Sequence, residues 1–451
     1  MKRSDISDFH WQTEATAAQL VAELVDRVSS NMPFATELAA RMLAETGTRF
    51  LDWVDNIGIA DDTQLVQRLV DAGFTSETIG GESCWQHTGG LFPAIRLGTK
   101  TINHLAIKVE SVCDFLIAHQ INSMIEGDPL AAVRLAKVAS HPLSELWVIE
   151  RHGNQGFEAP AVSANEVLSV LKHQEAFGRR RRCFDDALEG FEHAGRLVAE
   201  SIEALGVDRT CDLFFAAERR YWQSRNRAAR VQKQRQDRLG LGWANHDHHT
   251  YRSSREYFVS LIRFLESLGF VCRERFYGGA EAGWGAQVLE QSATGVIIFA
   301  DVDLTPEEVT GDFAHDGLSP QQQLGTVGLW CKLHGEAFLQ AGMHHLECQF
   351  DFDAAREQLA GEGIETMTPF TDFEYLKQAF TEGERWTVDS TRIERAVADG
   401  NITVSQADKF RSNGSIGSHL EILERNQGYK GFNQTGISEI IRQTDPRAAS
   451  T

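Results

Sequence analysis

Three short stretches in the C-terminal part of the chain hold side chains that could do chemistry together. They are HDHHTYR at 246–252, MHHLECQF at 343–350 and SHLEILER at 418–425. Each stretch is typical of a β-strand, in which successive side chains point to opposite faces. His248, His345 and Glu421 could therefore meet on one inward face. Two imidazoles and one carboxylate form a ligand set that holds non-haem Fe(II) and leaves positions open for substrate and oxygen.

The pattern leaves open which of the neighbouring histidines would bind the metal. In the first stretch, strand alternation puts His246 on the same face as His248, and His249 on the opposite face. In the second stretch, His344 and His345 fall on opposite faces. The hypothesis therefore names one inward face of each strand, with these neighbours as alternatives.

Further side chains could bind a substrate. Arg252 follows His248 by four residues, and its planar guanidinium suits a carboxylate, although a neighbouring acid could pair with it instead. Trp284 and Gln287 are expected to line the pocket, with Gln287 hydrogen-bonded to a substrate oxygen. Glu290 is an alternative carboxylate ligand.

The last candidates lie on and after the third stretch. His419 shares a face with Glu421 and could orient that carboxylate through hydrogen bonding. Asn433 and Gln434 lie on the following turn, where they could contact substrate or cap the next helix.

The N-terminal region repeats the plan of the C-terminal region. The paired segments are WVDNIGIA with HDHHTYRSS, FPAIRL with GAQVLEQ, INHLAIKVE with MHHLECQFD, and LWVIERHGNQGF with LEILERNQGYKGF. In the first copy, the positions of the first histidine, the arginine and the glutamate are taken by Asn56, Ala60 and Trp147. Only His104, opposite His345, is kept. We therefore expect a metal-free scaffold with a structural His104; a contribution of His104 to a site between the halves is the alternative.

These motifs resemble the vicinal-oxygen-chelate superfamily. LEILERNQGYKGFNQTGISEII is similar to the last strand and lid helix of 4-hydroxyphenylpyruvate dioxygenases and of the 2-oxoadipate dioxygenase/decarboxylase family. DHHTYRSS resembles the first histidine strand of the second family. The resemblance implies an α+β fold of tandem βαβββ-repeat barrels. It also implies His248, His345 and Glu421 as metal ligands and Arg252 as the group that holds a substrate carboxylate.

The chain departs from these families in two places. Asn433 stands where the family turn has glycine, and residues 370–412 are extra before the last strand. We predict three regions along the chain: a degenerate, metal-free half at 1–160, a helical connector at 161–237, and a catalytic half at 238–451 that ends in a lid helix.

Composition argues against several other classes of protein. The chain has 44 Lys and Arg against 64 Asp and Glu, a net charge of −20, which disfavours nucleic acid as a partner. No apolar run approaches the roughly 20 residues that cross a bilayer, and the N-terminus lacks the apolar core of a secretory signal. The seven cysteines show no disulfide or zinc spacing. We expect a cytoplasmic protein; the sequence leaves its oligomeric state open.

The ligand set and the resemblance together predict an enzyme. We expect an Fe(II)-dependent dioxygenase that uses O₂ and a small carboxylic acid, by oxidative decarboxylation and hydroxylation of a 2-oxo acid. One alternative is a redox-neutral isomerase or lyase of the same superfamily that uses Mn, Zn or Ni. The other is a non-catalytic protein that binds a small molecule.

Overall fold

The computed structural model describes residues 11–60, 62–79, 82–98, 102–279, 282–433 and 444–447. The strands are β1 (Val54–Ile59), β2 (Thr75–Ile79), β3 (Glu82–Gln86), β4 (Ala94–Leu97), β5 (Asn103–Lys108), β6 (Ile125–Glu126), β7 (Val133–His141), β8 (Ser144–Arg151), β9 (His246–Arg252), β10 (Val271–Tyr277), β11 (Trp284–Gln291), β12 (Val296–Asp303), β13 (His345–Gln349), β14 (Thr371–Phe373), β15 (Leu376–Phe380), β16 (Glu384–Trp386) and β17 (Ser415–Arg425). The helices are α1 (Ala15–Ser29), α2 (Pro33–Arg41), α3 (Thr63–Asp71), α4 (Val112–Ala118), α5 (Ala164–Gly178), α6 (Ala187–Leu205), α7 (Val207–Ser224), α8 (Arg227–Arg238), α9 (Phe258–Ser267), α10 (Thr326–His334), α11 (Phe352–Gly361), α12 (Ser390–Ala398) and α13 (Val404–Asn413).

The first sheet contains β1 to β8 in the order β2-β3-β4-β1-β5-β8-β7-β6. Along the chain it consists of two βαβββ modules, one from β1 through α3 to β4 and one from β5 through α4 to β8. The first and last strands of each module are parallel, and the modules meet through the antiparallel strands β1 and β5. This arrangement brings the opening strands of both modules to the centre of the sheet.

The second sheet repeats this topology in the order β10-β11-β12-β9-β13-β17-β15-β14, with β16 paired to β17. Its modules run from β9 through α9 to β12 and from β13 through α11 to β17. Strands β9 and β13 are antiparallel neighbours at the centre. The α+β fold of tandem βαβββ repeats is therefore confirmed, and it is the architecture that the resemblance to the vicinal-oxygen-chelate superfamily implied.

The strand topology corrects one detail of the repeat alignment. The segment FPAIRL contains β4, the last strand of its module, whereas GAQVLEQ lies in β11, so their correspondence is wrong and the counterpart of β4 is β12. Within residues 370–412, β14 and β15 take the places that β6 and β7 hold in the first sheet, whereas β16, α12 and α13 have no counterpart in the first half. Short apolar strands look alike in sequence, and only their pairing partners separate them.

The connecting helices α5 to α8 tie the two halves together. Their buried residues and one face of the second sheet form a single hydrophobic core. This core contains Trp222 from the helices and Tyr251 and Ile298 from the sheet. Helix α8 also reaches the first half, because Gln232 Nε2 donates to the Thr46 carbonyl oxygen over 2.9 Å. No helix within the described ranges has the length and apolar character needed to cross a membrane.

A β-bulge lies near the start of the central strands β1 and β9. The pairing of β1 with β5 shifts between Val54 and Asn56, and β13 pairs Glu347 with His248 but the next residue with His246. The bulged residue of the second half is Asp247, so strand alternation fails there. The prediction that His246 shares a face with His248 is therefore wrong. The His246 ring instead lies 5.1 Å from the ring of His249.

Candidate metal centre

Three neighbouring strands at the centre of the second sheet bring the predicted ligands together. His248 on β9, His345 on β13 and Glu421 on β17 each offer a ligand atom, and these atoms lie within 4.8 Å of one another. His345 Nε2 is 3.0 Å from Glu421 Oε2. All three side chains are buried. The pairing of β13 with both β9 and β17 explains the convergence, because each ligand projects from the same face of adjacent strands.

His345, rather than His344, faces the cluster. Thr250 Oγ1 lies 2.7 Å from His345 Nε2, the nitrogen that also faces Glu421. His344 Nδ1 lies 3.0 Å from the Nδ1 atom of His345, so His344 holds the ring from behind. Burial lowers the pKa of both histidines well below the usual value. A neutral imidazole is the form that binds a metal ion, so His345 is competent as a ligand.

Glu347 is a residue of the centre that the sequence interpretation did not assign. Its Oε1 atom lies 3.3 Å from His248 Nδ1, and the side chain is fully buried. Gln378 Nε2 donates to Glu347 Oε2 over 3.3 Å and to Glu421 Oε1 over 3.1 Å, which joins the two carboxylates. Glu347 follows His345 by two residues on a strand, so alternation alone could have identified it.

Burial and neighbouring charges shift the pKa values of the acids and of His248 in the centre. Burial, reinforced by the neighbouring Glu421, raises the pKa of Glu347 well above its usual value. Burial also raises the pKa of Glu421. Burial would lower the pKa of His248, but Glu347 and Asp247 outweigh it and raise that pKa to about 10. Glu347 and His248 therefore form a pair that retains a proton at neutral pH.

Asp247 and Arg425 form a buried ion pair beneath the centre. Arg425 Nε and Nη2 donate to the two carboxylate oxygens of Asp247, each over 3.0 Å. Burial alone would raise the pKa of Asp247, but the guanidinium outweighs it and lowers the pKa. Arg425 Nη1 also donates to the Gly431 carbonyl oxygen over 2.6 Å. Asp247 Oδ1 lies 3.3 Å from His248 Nδ1, so this pair fixes the orientation of the histidine ring.

These residues fit a divalent transition-metal ion. Two imidazoles and a carboxylate on one face provide a mixed nitrogen and oxygen donor set, and Glu347 adds a second carboxylate beside it. Several buried polar atoms in the same place, among them His344 Nε2, have no hydrogen-bond partner within the described ranges. Buried carboxylates are costly unless they are paired or bind a metal, so a cation would satisfy this cluster.

Arg252 lies on β9 beyond the ligands and points into the same cavity. Its side chain is buried, and neither Nε nor Nη1 has a hydrogen-bond partner in the part of the chain that the structure describes. Asp301 is its neighbour across the pairing of β9 with β12, and Asp301 Oδ1 also lacks a partner there. Burial raises the pKa of Asp301 to about 7 against the influence of Arg252. The guanidinium therefore keeps donors directed at the cavity.

The cavity above the candidate ligands is small and largely aromatic. Its volume is about 70 Å³. The aromatic lining consists of Phe276, Trp284, Phe299, Phe370, Phe380 and Phe432. The ring of His248 lies 4.7 Å from Phe299 and 5.3 Å from Phe432. These rings exclude water and lower the local dielectric, which strengthens electrostatic interactions inside the cavity.

Of the predicted substrate residues, Trp284 and Asn433 line this cavity and Gln287 does not. Gln287 Nε2 donates to the backbone carbonyl oxygens of Glu274 and Val288. Trp284 and Gln287 are three residues apart on one strand, so their side chains face opposite sides of the sheet. The predicted contact of Gln287 with substrate is therefore wrong. Asn433 Nδ2 donates to Thr371 Oγ1 over 3.0 Å.

The remaining candidates lie elsewhere or outside the described residues. Glu290 pairs with Arg273 over 3.3 Å and with Lys430 over 3.7 Å, so it is not brought to the centre. His419 Nδ1 lies 2.8 Å from the Thr381 carbonyl oxygen, and the ring packs against His344 at 5.2 Å. His419 thus supports the back of the centre and does not contact Glu421 by a described hydrogen bond. Gln434 and the predicted lid helix lie outside the described residues.

The sequence matches no family profile and no curated protein. Solved structures with a similar arrangement include a putative hydrolase from Shewanella frigidimarina, at 16% identity and a TM-score of 0.35, over 50% of this chain and 98% of that chain. A mutant 4-hydroxymandelate synthase from Streptomyces coelicolor matches 89% of this chain and 97% of its own, at 11% identity and a TM-score of 0.28. Methylmalonyl-CoA epimerase from Mycobacterium tuberculosis matches 40% of this chain and 88% of its own, at 12% identity and a TM-score of 0.24. These overlaps are too loose to support an activity, and the fold assignment rests on the strand topology.

Proposed function

We propose that the protein is an Fe(II)-dependent dioxygenase that acts on a small carboxylic acid, most simply by oxidative decarboxylation of a 2-oxo acid. The observation that carries this proposal is the set His248, His345 and Glu421 beneath an aromatic cavity that also holds the guanidinium of Arg252. A ferrous ion bound by the three ligands would supply open coordination positions and the redox chemistry needed to use dioxygen.

The protein's own groups would bind and orient the acid. Arg252 presents Nε and Nη1 as donors without a partner within the described structure, and a hydrogen bond from a guanidinium to a carboxylate is charge-assisted and therefore strong. The small volume of the cavity favours a small acid as the substrate. Phe299 and Phe432 would exclude water from the reacting end of the substrate.

Glu347 supports a second candidate function, a redox-neutral metal-dependent isomerase or lyase. Its carboxyl group lies 3.3 Å from His248 Nδ1, is fully buried, and has a pKa raised well above the usual value by burial and by Glu421. A buried carboxyl group with a raised pKa beside a metal site is suited to proton transfer. Mn, Zn or Ni would suffice for such chemistry.

Oxygen consumption separates these functions. The metal-free protein would be loaded anaerobically with Fe(II), Mn(II), Zn(II) or Ni(II) and supplied with a panel of aliphatic and aromatic 2-oxo acids. We expect oxygen uptake and matching CO₂ release with Fe(II) alone, and loss of both in His248→Ala and Glu421→Ala. The matched control is His315→Ala, which removes a histidine from an exposed group with Glu266 and Cys272 and should change nothing.

Other outcomes would contradict the dioxygenase. Metal binding without oxygen uptake, together with exchange of a substrate proton for solvent deuterium that Glu347→Gln abolishes, would establish the isomerase or lyase. Ligand binding that survives His248→Ala and Glu421→Ala, with no turnover under any metal, would leave a non-catalytic binding protein.

A further inference from the structure

The first half contains a cavity at the place that corresponds to the candidate metal centre. Its volume is about 460 Å³, within the usual range of small-molecule sites. Its lining includes Asn56, Arg96, His104, Ala106, Trp147 and Phe157. The pairing of Gly58 with His104 repeats that of Thr250 with His345, so the two cavities occupy equivalent positions in their sheets.

The side chains of this cavity differ in charge from those of the candidate metal centre. Ala106 and Trp147 are paired across β5 and β8 as Glu347 and Glu421 are paired across β13 and β17. Both carboxylates of the metal centre are thus replaced by uncharged side chains. Arg96, paired with Gly58, takes the position that Phe299 holds opposite Thr250 in the second half. A guanidinium therefore stands in place of an aromatic wall, and the interior favours an anion over a cation.

His104 and Phe157 hold the guanidinium of Arg96 in position. Arg96 Nη1 lies 3.1 Å from His104 Nε2, and its Cζ atom lies 4.2 Å from the centre of the Phe157 ring. Arginine can only donate, so the Nε2 atom accepts and the imidazole is neutral. Gly58 leaves room for this arrangement, because a Cβ atom there would lie 1.7 Å from His104 Cε1.

Asn56 provides a second polar anchor in the same cavity. The residue is only 1% exposed, and its Oδ1 atom has no hydrogen-bond partner among the residues that the structure describes. Its Nδ2 atom donates to Asp55 Oδ2 over 2.8 Å, which fixes the amide so that the oxygen is the free end. An unpaired buried acceptor costs free energy, and a ligand hydroxyl or N–H group would satisfy it.

We propose that this cavity is a metal-independent binding site for a small monocarboxylate that also carries a hydrogen-bond donor, with a 2-hydroxy acid bearing a flat apolar group as the fitting class. Arg96 binds the carboxylate, Asn56 Oδ1 accepts from the hydroxyl, and Trp147 packs against the apolar group. The exposed residues Glu126 and Glu158 also line the cavity and disfavour ligands with two negative charges.

Binding of a fluorinated 2-hydroxy acid to the metal-free full-length chain tests the proposal. 4-Fluorophenyllactate would be titrated by ¹⁹F NMR in an Arg252→Leu background, which removes the guanidinium of the other cavity. We expect saturable binding, and an affinity roughly tenfold or more lower in Arg96→Gln because a charge-assisted hydrogen bond is lost. The matched probes are 4-fluorophenyllactamide, which lacks the charge, and 3-(4-fluorophenyl)propionate, which lacks the hydroxyl; both should bind more weakly.

A second variant keeps the test decisive if Arg96→Gln does not fold. Leu135→Trp enlarges a half-buried side chain on β7 that lines the cavity, and it should abolish binding while circular dichroism stays native. Inorganic phosphate should not compete with 4-fluorophenyllactate. The proposal is overturned if Leu135→Trp binds as tightly as its parent, if the amide probe binds as well as the acid, or if no saturable binding occurs.

Discussion

The two halves share a buried aspartate–arginine pair and differ in the residues beside it. In each half a bulged aspartate on the central strand binds an arginine at the end of the last strand. Arg151 Nε and Nη2 contact Asp55 over 2.6 and 2.8 Å, as Arg425 contacts Asp247. In each case the Nη1 atom also donates over 2.6 Å to a glycine carbonyl oxygen in the following turn.

The difference lies one residue away from this pair. Beside Asp247 stands His248, whereas beside Asp55 stands Asn56. On the last strand, Glu421 of the second half is matched by Trp147 of the first. We infer that the aspartate–arginine pair has the same structural role in both halves. The neighbouring positions would then determine whether each half binds a cation or an anion.

Removal of the arginine from either aspartate–arginine pair should have the largest effect, which is on the free energy of unfolding. Arg151→Leu and Arg425→Leu each leave an aspartate buried without its partner, which should lower the free energy of unfolding by about 3–5 kcal/mol. Urea unfolding monitored by circular dichroism measures both losses. The double variant Asp55→Asn with Arg151→Leu should recover much of the loss. A cost for Arg425→Leu alone would show that the role of the pair is not shared.

The next effect concerns the support of the ligands in the second half. Gln378→Leu removes the amide that donates to both Glu347 and Glu421. We expect metal affinity to fall roughly tenfold to hundredfold, as for other groups that orient ligands. Competition with a coloured chelator measures the affinity. The control is Gln287→Leu on the opposite face of the sheet, and equal affinities in the two variants would contradict the assigned role of Gln378.

A smaller effect should appear in the first half alone. Gly58→Ala places a methyl group where the His104 ring lies, so we expect a loss of about 1–3 kcal/mol from overpacking. Metal binding should be unchanged. Chemical unfolding and a metal titration on the same sample measure both quantities. Unchanged stability would contradict the close packing of the His104 ring against Gly58.

The smallest effect is a pH dependence carried by the second half. Burial lowers the pKa of His334 to about 3, and its Nε2 atom lies 3.1 Å from the Ile416 carbonyl oxygen. Between pH 6.5 and 3 the unfolded chain binds a proton that the native histidine does not, so stability present above pH 6.5 is lost as the pH falls. His334→Gln should reduce the slope of unfolding free energy between pH 6 and pH 5 by about 1 kcal/mol per pH unit. Urea titrations of the parent protein and of His334→Gln at both pH values measure this slope. Equal slopes in the two proteins would contradict the prediction.

The sequence predicted much of this comparison because the repeat carries local patterns. Strand alternation and the ordered matches between the halves placed His248, His345 and Glu421 on adjacent strands, and the structure brings them together. Strand alternation also places Glu347, two residues after His345, on the same face as that histidine. The replacement of Glu421 by Trp147 was visible in the alignment and is reproduced by the strand register.

Other features depend on contacts that no local pattern records. The bulge at Asp247 inserts one residue without a change in composition, so alternation misplaced His246. The pair of Asp247 with Arg425 joins residues on different strands far apart in the chain. Trp284 and Gln287 cannot both line the cavity as predicted, because they are an odd number of residues apart on one strand and so face opposite sides of the sheet.

An anaerobic metal titration would show whether the second half alone binds a metal ion. Co(II), with its visible absorption, would be added to the metal-free protein, to Glu421→Ala and to His104→Ala. We expect one bound metal per chain in the unmodified protein and in His104→Ala, and none in Glu421→Ala. Two metals per chain, or one that remains in Glu421→Ala, would contradict this prediction.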